Sequence, residues 1–217
     1  MTGTGGIHHF ASFDGQSIAW RELGEGRPTL MIHGFLADGP SNWIAPGIAA
    51  AVAALGRRVI LPDLRGHGAS AAPGDPAAWR PDTLTMDQEA LIAHLGLSNY
   101  DLVGYSLGAR TAVRMMVRGA RPGRAVLGAM MAARGLKPEA MLGVLAAFAA
   151  TGVDDLRGIP TPVRVVSGDR DQDNGSAEAL AALLPAGEVR IVSGDHLTAV
   201  ADPGLAEAIT DFLSHGG

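Results

Sequence analysis

Six times between residues 29 and 194 the chain runs through a short apolar stretch, turns on glycine, aspartate, serine or histidine, and then enters a helical pattern. The runs are TLMIHG (29–34), RRVILPD (57–63), YDLVGYS (100–106), RAVLGAM (124–130), PVRVVSGD (162–169) and EVRIVSG (188–194). Four of them are nearly continuously apolar, the pattern of strands buried on both faces of a parallel sheet. Upstream, IHHFASF and SIAWREL flank Asp14-Gly15, a strong hairpin signal, so the sheet is expected to open with two antiparallel strands.

The intervening segments read as helices. Thr85-Met86-Asp87-Gln88 fits a capping box ahead of EALIAHLGL, where Leu91, Ile92 and Leu95 share one face and Gly96 ends the run. Further helices are expected over Ile48–Leu55, Leu107–Arg118, Pro138–Ala150, Ala177–Leu184 and Pro203–Leu213. Strand and helix in alternation predict an α/β fold: a mostly parallel eight-stranded sheet with an antiparallel N-terminal hairpin and helices on both faces. At 217 residues the default is a single domain over 1–217. The piece from Gly68 to Thr83 is the longest irregular segment and reads as a surface loop.

Composition excludes several classes of function. The formal net charge is -5 and the acidic residues are dispersed, which leaves no basic footprint for nucleic acid or an anionic membrane. Cysteine is absent, so disulfides, thiol catalysis and cysteine-ligated metals are excluded together, in keeping with a reducing cytoplasm. MTGTGGIHHF lacks the basic-then-apolar order of a signal peptide, and no stretch reaches the ~18 uncharged residues of a membrane span. A soluble cytoplasmic protein, monomer or homodimer, is expected.

In an open α/β sheet reacting groups collect beyond the carboxyl ends of the strands, where loops converge and helix N-termini point inward. This chain places His33-Gly34-Phe35, Asp63, Ser106, Asp169 with Asp171, and His196 at those ends. A serine hydroxyl is a weak nucleophile until a histidine takes its proton, and a carboxylate must then hold the imidazole in the useful tautomer. Gly104 and Gly108 around Ser106 permit a sharp strand-to-helix turn, which leaves the Leu107 N–H at a helix N-terminus, facing developing negative charge.

HGF, LPDLRGHGAS, GYSLGA, SGDRD and GDH, in this order, resemble the α/β-hydrolase superfamily over nearly the whole chain. The resemblance implies Ser106 as nucleophile, His196 as general base and the backbone N–H groups of Phe35 and Leu107 as oxyanion donors. The usual G-x-x-D pattern implies Asp171, rather than Asp169, as the third member. The sequence carries no phosphate-binding glycine loop or dinucleotide fingerprint and indicates no set of metal ligands, so no organic cofactor and no metal is expected. Dehalogenases and epoxide hydrolases of this fold carry a carboxylate where this chain has Ser106, so the resemblance favours a serine esterase acting on small to medium acyl esters.

Thioesterase, perhydrolase, C–C hydrolase and hydroxynitrile lyase activities share the same triad, as does a slow-turnover small-molecule sensor. The interval between the sixth strand and the seventh is too short for a multi-helix lid, which suits water attack on an acyl-enzyme. Leu36, Trp43, Met130, Met131, Leu136 and Leu197 are the expected pocket-wall residues. His33, Asp63, Arg65, Gly66, His67 and Gly68 are read as structural, and Met115 and Met116 as core.

Overall fold

The computed structural model of the chain describes residues 6–129, 147, 149–171 and 175–215. Strands β1 (His8–Ala11) and β2 (Ser17–Leu23) form an antiparallel hairpin whose register runs from His8 opposite Trp20 to Ala11 opposite Ser17. Its loop closes where Gly15 takes φ 83°, with the Ser12 N–H donating to the Gln16 carbonyl at 2.8 Å. The remaining strands are β3 (Arg27–Ile32), β4 (Arg57–Pro62), β5 (Asp101–Tyr105), β6 (Ala125–Gly128), β7 (Val163–Gly168) and β8 (Gly187–Val192).

All eight join one sheet in the order β1-β2-β4-β3-β5-β6-β7-β8, with β2 antiparallel to β4 and every later pairing parallel. From β3 the chain crosses to β4 on one side, and from β5 it crosses to β6 on the other. That reversal opens a crevice beyond the carboxyl ends of β3 and β5, where an open α/β sheet gathers its ligands.

Alternation along the strands builds two cores. Leu30, Ile32, Ile60, Leu102, Leu127 and Val165 face one side of the sheet, where they meet α2 (Thr83–His94), α3 (Leu107–Val117) and α5 (Ala177–Leu183). Met31, Val59, Leu61, Val103, Val126 and Val166 face the other side and pack on α1 (Ile48–Ala53) and α6 (Pro203–Ser214). A short helix, α4 (Val153–Arg157), precedes β7. Met115 and Met116 are buried in the first of these cores.

Helix α2 starts at Thr83, ahead of the capping box expected at Thr85. Asp82 before it sits at φ 63° and gives its carboxylate to Arg114, at 2.9 and 2.7 Å, instead of to the helix N-terminus. Thr85, Asp87 and Gln88 are therefore buried within the helix, and Gly96 (φ 63°) ends it as expected. Asp87 is held by Arg65, whose wholly buried guanidinium also binds Asp14 at 2.7 Å, while the Ser12 hydroxyl donates to Asp87 at 2.5 Å. This buried ion network ties the hairpin, the loop after β4 and α2 together.

The helix expected over Pro138–Ala150 lies largely outside the described residues, as does most of the stretch after β6 that a lid would occupy. Among the described residues no lid stands over the carboxyl edge, and no helix is long and apolar enough to cross a membrane.

Candidate active site

The turn between β5 and α3 is compressed, and its glycines are what allow it. A Cβ on Gly108 would stand 2.0 Å from the Ile32 carbonyl oxygen, and one on Gly104 would stand 2.4 Å from the Gly108 carbonyl oxygen. The first turn of α3 thus lies directly on strand backbone, and the chain can enter it only through a sharp reversal at Ser106. That residue sits at φ 54°, ψ -113°, a region that costs of order 1–3 kcal/mol for a residue with a side chain. The Ser106 N–H donates to the Gly128 carbonyl at 2.8 Å, which anchors the strained residue to β6.

The loops after β7 and β8 are sewn together by backbone. A Cβ on Gly168 would stand 2.2 Å from the Gly194 carbonyl oxygen, and the Arg170 N–H donates to that same carbonyl at 2.9 Å. Asp169 takes part in this seam, accepting from the Gly194 N–H at 3.0 Å. Asp171, two residues on, has a buried side chain and points instead at the imidazole, with its Oδ2 3.2 Å from His196 Nδ1. On the other side of the ring, His196 Nε2 stands 2.9 Å from Ser106 Oγ.

The three residues named from the sequence thus form one chain of contacts, although they come from three different loops. An imidazole bridged in this way has the tautomer base catalysis needs, with Nδ1–H directed at the carboxylate and Nε2 open to the serine proton. The His196 side chain remains 24% exposed, whereas Ser106 and the Asp171 side chain are buried, so the imidazole is the member of this chain that solvent reaches.

The His33-Gly34-Phe35 loop runs against Ser106: a Cβ on Gly34 would stand 3.3 Å from the serine Cβ. His33 is fully buried and bridges two strand ends, with Nδ1 2.7 Å from the Gly34 carbonyl oxygen and Nε2 accepting from the Leu64 N–H at 2.9 Å. The Gly34 carbonyl and the Phe35 N–H belong to one planar trans peptide, so anchoring the oxygen also sets the direction of the N–H. Asn42 assists from a π-helical turn, accepting from the Gly34 N–H at 2.8 Å. Leu107 opens α3, so its N–H has no acceptor within the helix.

Burial and the neighbouring His67 push the His33 pKa down to about 4, and burial lowers that of His67 as well. Tyr105, in the middle of the elbow, is pushed upward by burial and by the nearby Asp171 carboxylate, so it keeps its phenolic proton.

The expected wall residues separate into three groups. Leu36, at φ 59°, is 72% exposed beside the Phe35 loop, and Leu197 is 80% exposed beside the histidine. Trp43 is fully buried and meets the Tyr105 ring edge-on at 6.4 Å, so it supports the elbow from within the core and does not line a cleft. Met130, Met131 and Leu136 lie outside the described residues. Asp63 accepts from the Gly39 N–H at 3.0 Å and from Arg21 at 3.0 Å, a loop-bracing role in line with its structural reading.

Reading the sequence did not single out Asn42, Tyr105 or Asp195. Asp195 braces the histidine loop by accepting from the Leu197 and Thr198 N–H groups at 3.0 and 2.9 Å. An Asp two to three residues before an apolar-Thr pair is a local turn signal that could have been found. Asn42 and Tyr105 act through contacts distant in sequence. Among the described residues no group of three or more histidine or acidic side chains is placed to hold a metal.

A family model described as the alpha/beta hydrolase fold matches residues 28–157. Over 107 residues the chain is 36% identical to an epoxide hydrolase of Caballeronia sordidicola, a match covering 49% of this chain and 32% of that protein. The chain spans about a third of the length of the curated relatives it matches. Among solved structures, a bromoperoxidase from Bacillus anthracis superposes with TM-score 0.81 at 22% identity, covering 96% of this chain and 99% of that one. An esterase from Exiguobacterium antarcticum superposes with TM-score 0.78 at 18% identity, over 95% of this chain and 97% of that one. At such identities the likeness is one of fold.

Proposed function

The chain belongs to the alpha/beta hydrolase fold family, and we propose that it is a serine esterase that cleaves small to medium carboxylic esters through an acyl-enzyme. The observation that carries this reading is the Ser106 Oγ, His196 Nε2 and Nδ1, Asp171 Oδ2 sequence, with spacings of 2.9 and 3.2 Å. Oxygen-to-nitrogen contacts of that length permit proton transfer in one step.

Ser106 Oγ attacks the ester carbonyl while His196 Nε2 takes its proton. The buried Asp171 carboxylate stabilises the imidazolium so formed. Negative charge moves to the former carbonyl oxygen, to which the Phe35 and Leu107 N–H groups donate hydrogen bonds, aided by the N-terminus of α3. Collapse expels the alcohol with a proton from His196. A water molecule then gives its proton to the same histidine and attacks the acyl-serine, and the acid leaves as Ser106 regains its hydrogen.

One feature supports ester hydrolysis over the epoxide opening named for one relative, and a second supports hydrolysis of the acyl-enzyme. The elbow carries a hydroxyl, which forms an acyl ester, in place of the carboxylate that opens an epoxide. The partly exposed imidazole gives water a route to the acyl-enzyme. The fold alone does not select the substrate, so the test is direct. Initial rates on p-nitrophenyl esters from acetyl to dodecanoyl, measured with Ser106→Ala in parallel, should show turnover that peaks at or below octanoyl and is lost in the variant. Equal slow rates in both proteins would refute the serine mechanism, and activity that keeps climbing to dodecanoyl would refute the acyl size.

A further inference from the structure

Tyr105 has no part in the chemistry just described, yet it occupies an unusual place. It immediately precedes the nucleophile, its ring is only 5% exposed, and its hydroxyl donates at 2.8 Å to the backbone carbonyl of His196. The Val200 amide faces the same phenolic oxygen, so the hydroxyl bridges the two ends of the turn that carries the base.

The space around the ring is cut to fit it. A Cβ on Gly128 would stand 2.8 Å from Tyr105 Cδ2, and one on Gly34 would stand 3.4 Å from Cδ1. Trp43 closes the edge at 6.4 Å, with the ring planes at 90°. A phenol so confined cannot swing, and its oxygen is therefore a fixed point at the end of β5.

We infer that Tyr105 is a positioning residue, whose hydroxyl holds the backbone of His196 in register with Ser106 and so sets the nucleophile-to-base distance. Ser106 is fixed by the strand it terminates. His196 lies on a loop after β8, an edge strand whose outer residues are exposed. Contacts among Asp195, Leu197 and Thr198 brace only the loop's internal shape, and the Asp169 and Arg170 seam to Gly194 ties it to the neighbouring loop after β7. The Tyr105 hydroxyl instead connects this loop to the elbow across the sheet, from the residue next to the nucleophile. Misplacing a reacting group by about 1 Å costs on the order of a hundredfold in rate, so a tether at this point bears on turnover more than on ground-state binding.

The inference rests on the serine-hydrolase reading, and its test separates the two. Wild type, Ser106→Ala, Tyr105→Phe and Thr161→Val are compared for kcat, KM and thermal midpoint on a p-nitrophenyl ester. Thr161→Val is the control for losing a buried hydroxyl-to-carbonyl bond, since Thr161 Oγ1 donates to Pro122 O at 3.3 Å, remote from the site. Each protein is also prepared with carbon-13-labelled histidine, and the His196 ring resonance is identified by its loss in His196→Asn.

Tyr105→Phe should lower kcat by about ten- to a hundredfold with KM within about twofold, and should broaden or split the His196 resonance. Thr161→Val should leave both unchanged at a similar thermal midpoint. A Tyr105→Phe protein with wild-type kcat and a single sharp His196 resonance would overturn the inference. Failure of the serine reading shows separately, as turnover that survives Ser106→Ala, and the His196 resonance then still decides whether the hydroxyl orders the ring.

Discussion

His33 makes acidification a test of how the loop after β3 is held. Its imidazole is buried without access to water, Nδ1–H serves the Gly34 carbonyl, and Nε2 accepts the Leu64 N–H. A second proton can land only on Nε2, where it would confront that amide hydrogen. Burial, with the second histidine at 5.2 Å between ring centroids, holds the folded-state pKa near 4, against 6.5 for the free side chain.

The sign follows from proton uptake. Between these two values the unfolded chain binds the proton and the folded one does not, so stability falls as pH drops from about 6.5 and levels off below about 4. A gap of this size at ~1.4 kcal/mol per unit is a loss on the order of 3 kcal/mol, a large share of the ~5–15 kcal/mol that keeps an ordinary domain folded.

The assay is urea unfolding at half-unit steps from about pH 7.5 to 4, on wild type and His33→Gln. Glutamine can accept the Leu64 N–H but does not titrate, and the carboxylates shared by both proteins cancel in the difference. The wild-type advantage should be constant above about pH 6.5, shrink by ~1.4 kcal/mol per unit below it, and stop shrinking near pH 4. Parallel curves would refute the claim that His33 is neutral and trapped. A wild-type advantage that grew with acid would refute its sign.

Three further outcomes are expected. Because Ser106 sits at φ 54°, ψ -113°, Ser106→Gly should be more stable than Ser106→Ala by about 1 kcal/mol in urea unfolding, both being inactive; equal stability would deny the strain. Asp171→Asn should lower kcat by on the order of 10⁴, while Asp169→Asn should mainly lower the thermal midpoint, and a reversed pattern in ester turnover would exchange their roles. Arg65→Met leaves the buried Asp87 carboxylate without its cation and should cost about 3–5 kcal/mol in urea, much of it recovered in the double variant Arg65→Met with Asp87→Leu.

Most of the sheet was readable because strands buried on both faces need unbroken apolar runs, and each such run here ends on a residue that changes the backbone's direction. The three side chains that meet at Ser106 were readable for a related reason, since all of them stand within a few residues of the ends of those runs. The start of α2 was misplaced by a local rule. Thr85 has the residue type and spacing of a cap, but Arg114 takes the Asp82 carboxylate from another helix and the chain enters the helix earlier. Trp43, expected as a pocket wall, fills the core because the π-helical turn of Pro40–Ile44 rolls its indole inward, and nothing in a linear pattern announces that turn.

The same contrast explains why the elbow was visible and its tether was not. With the Ile32 carbonyl 2.0 Å from where a Cβ would be, every residue other than glycine is excluded at position 108, and the chain carries that exclusion openly as a glycine at a fixed distance from the serine. A tyrosine hydroxyl that reaches a carbonyl 91 residues away excludes nothing at its partner, because every residue type presents the same carbonyl. Steric constraints on the backbone therefore surface in the sequence, while hydrogen bonds from a side chain to a distant backbone stay hidden until the chain is folded. On that account the residues that position His196 are to be sought among buried polar side chains that the motif leaves unspecified, and Tyr105, set between the two glycines that the motif does specify, is the one the geometry selects.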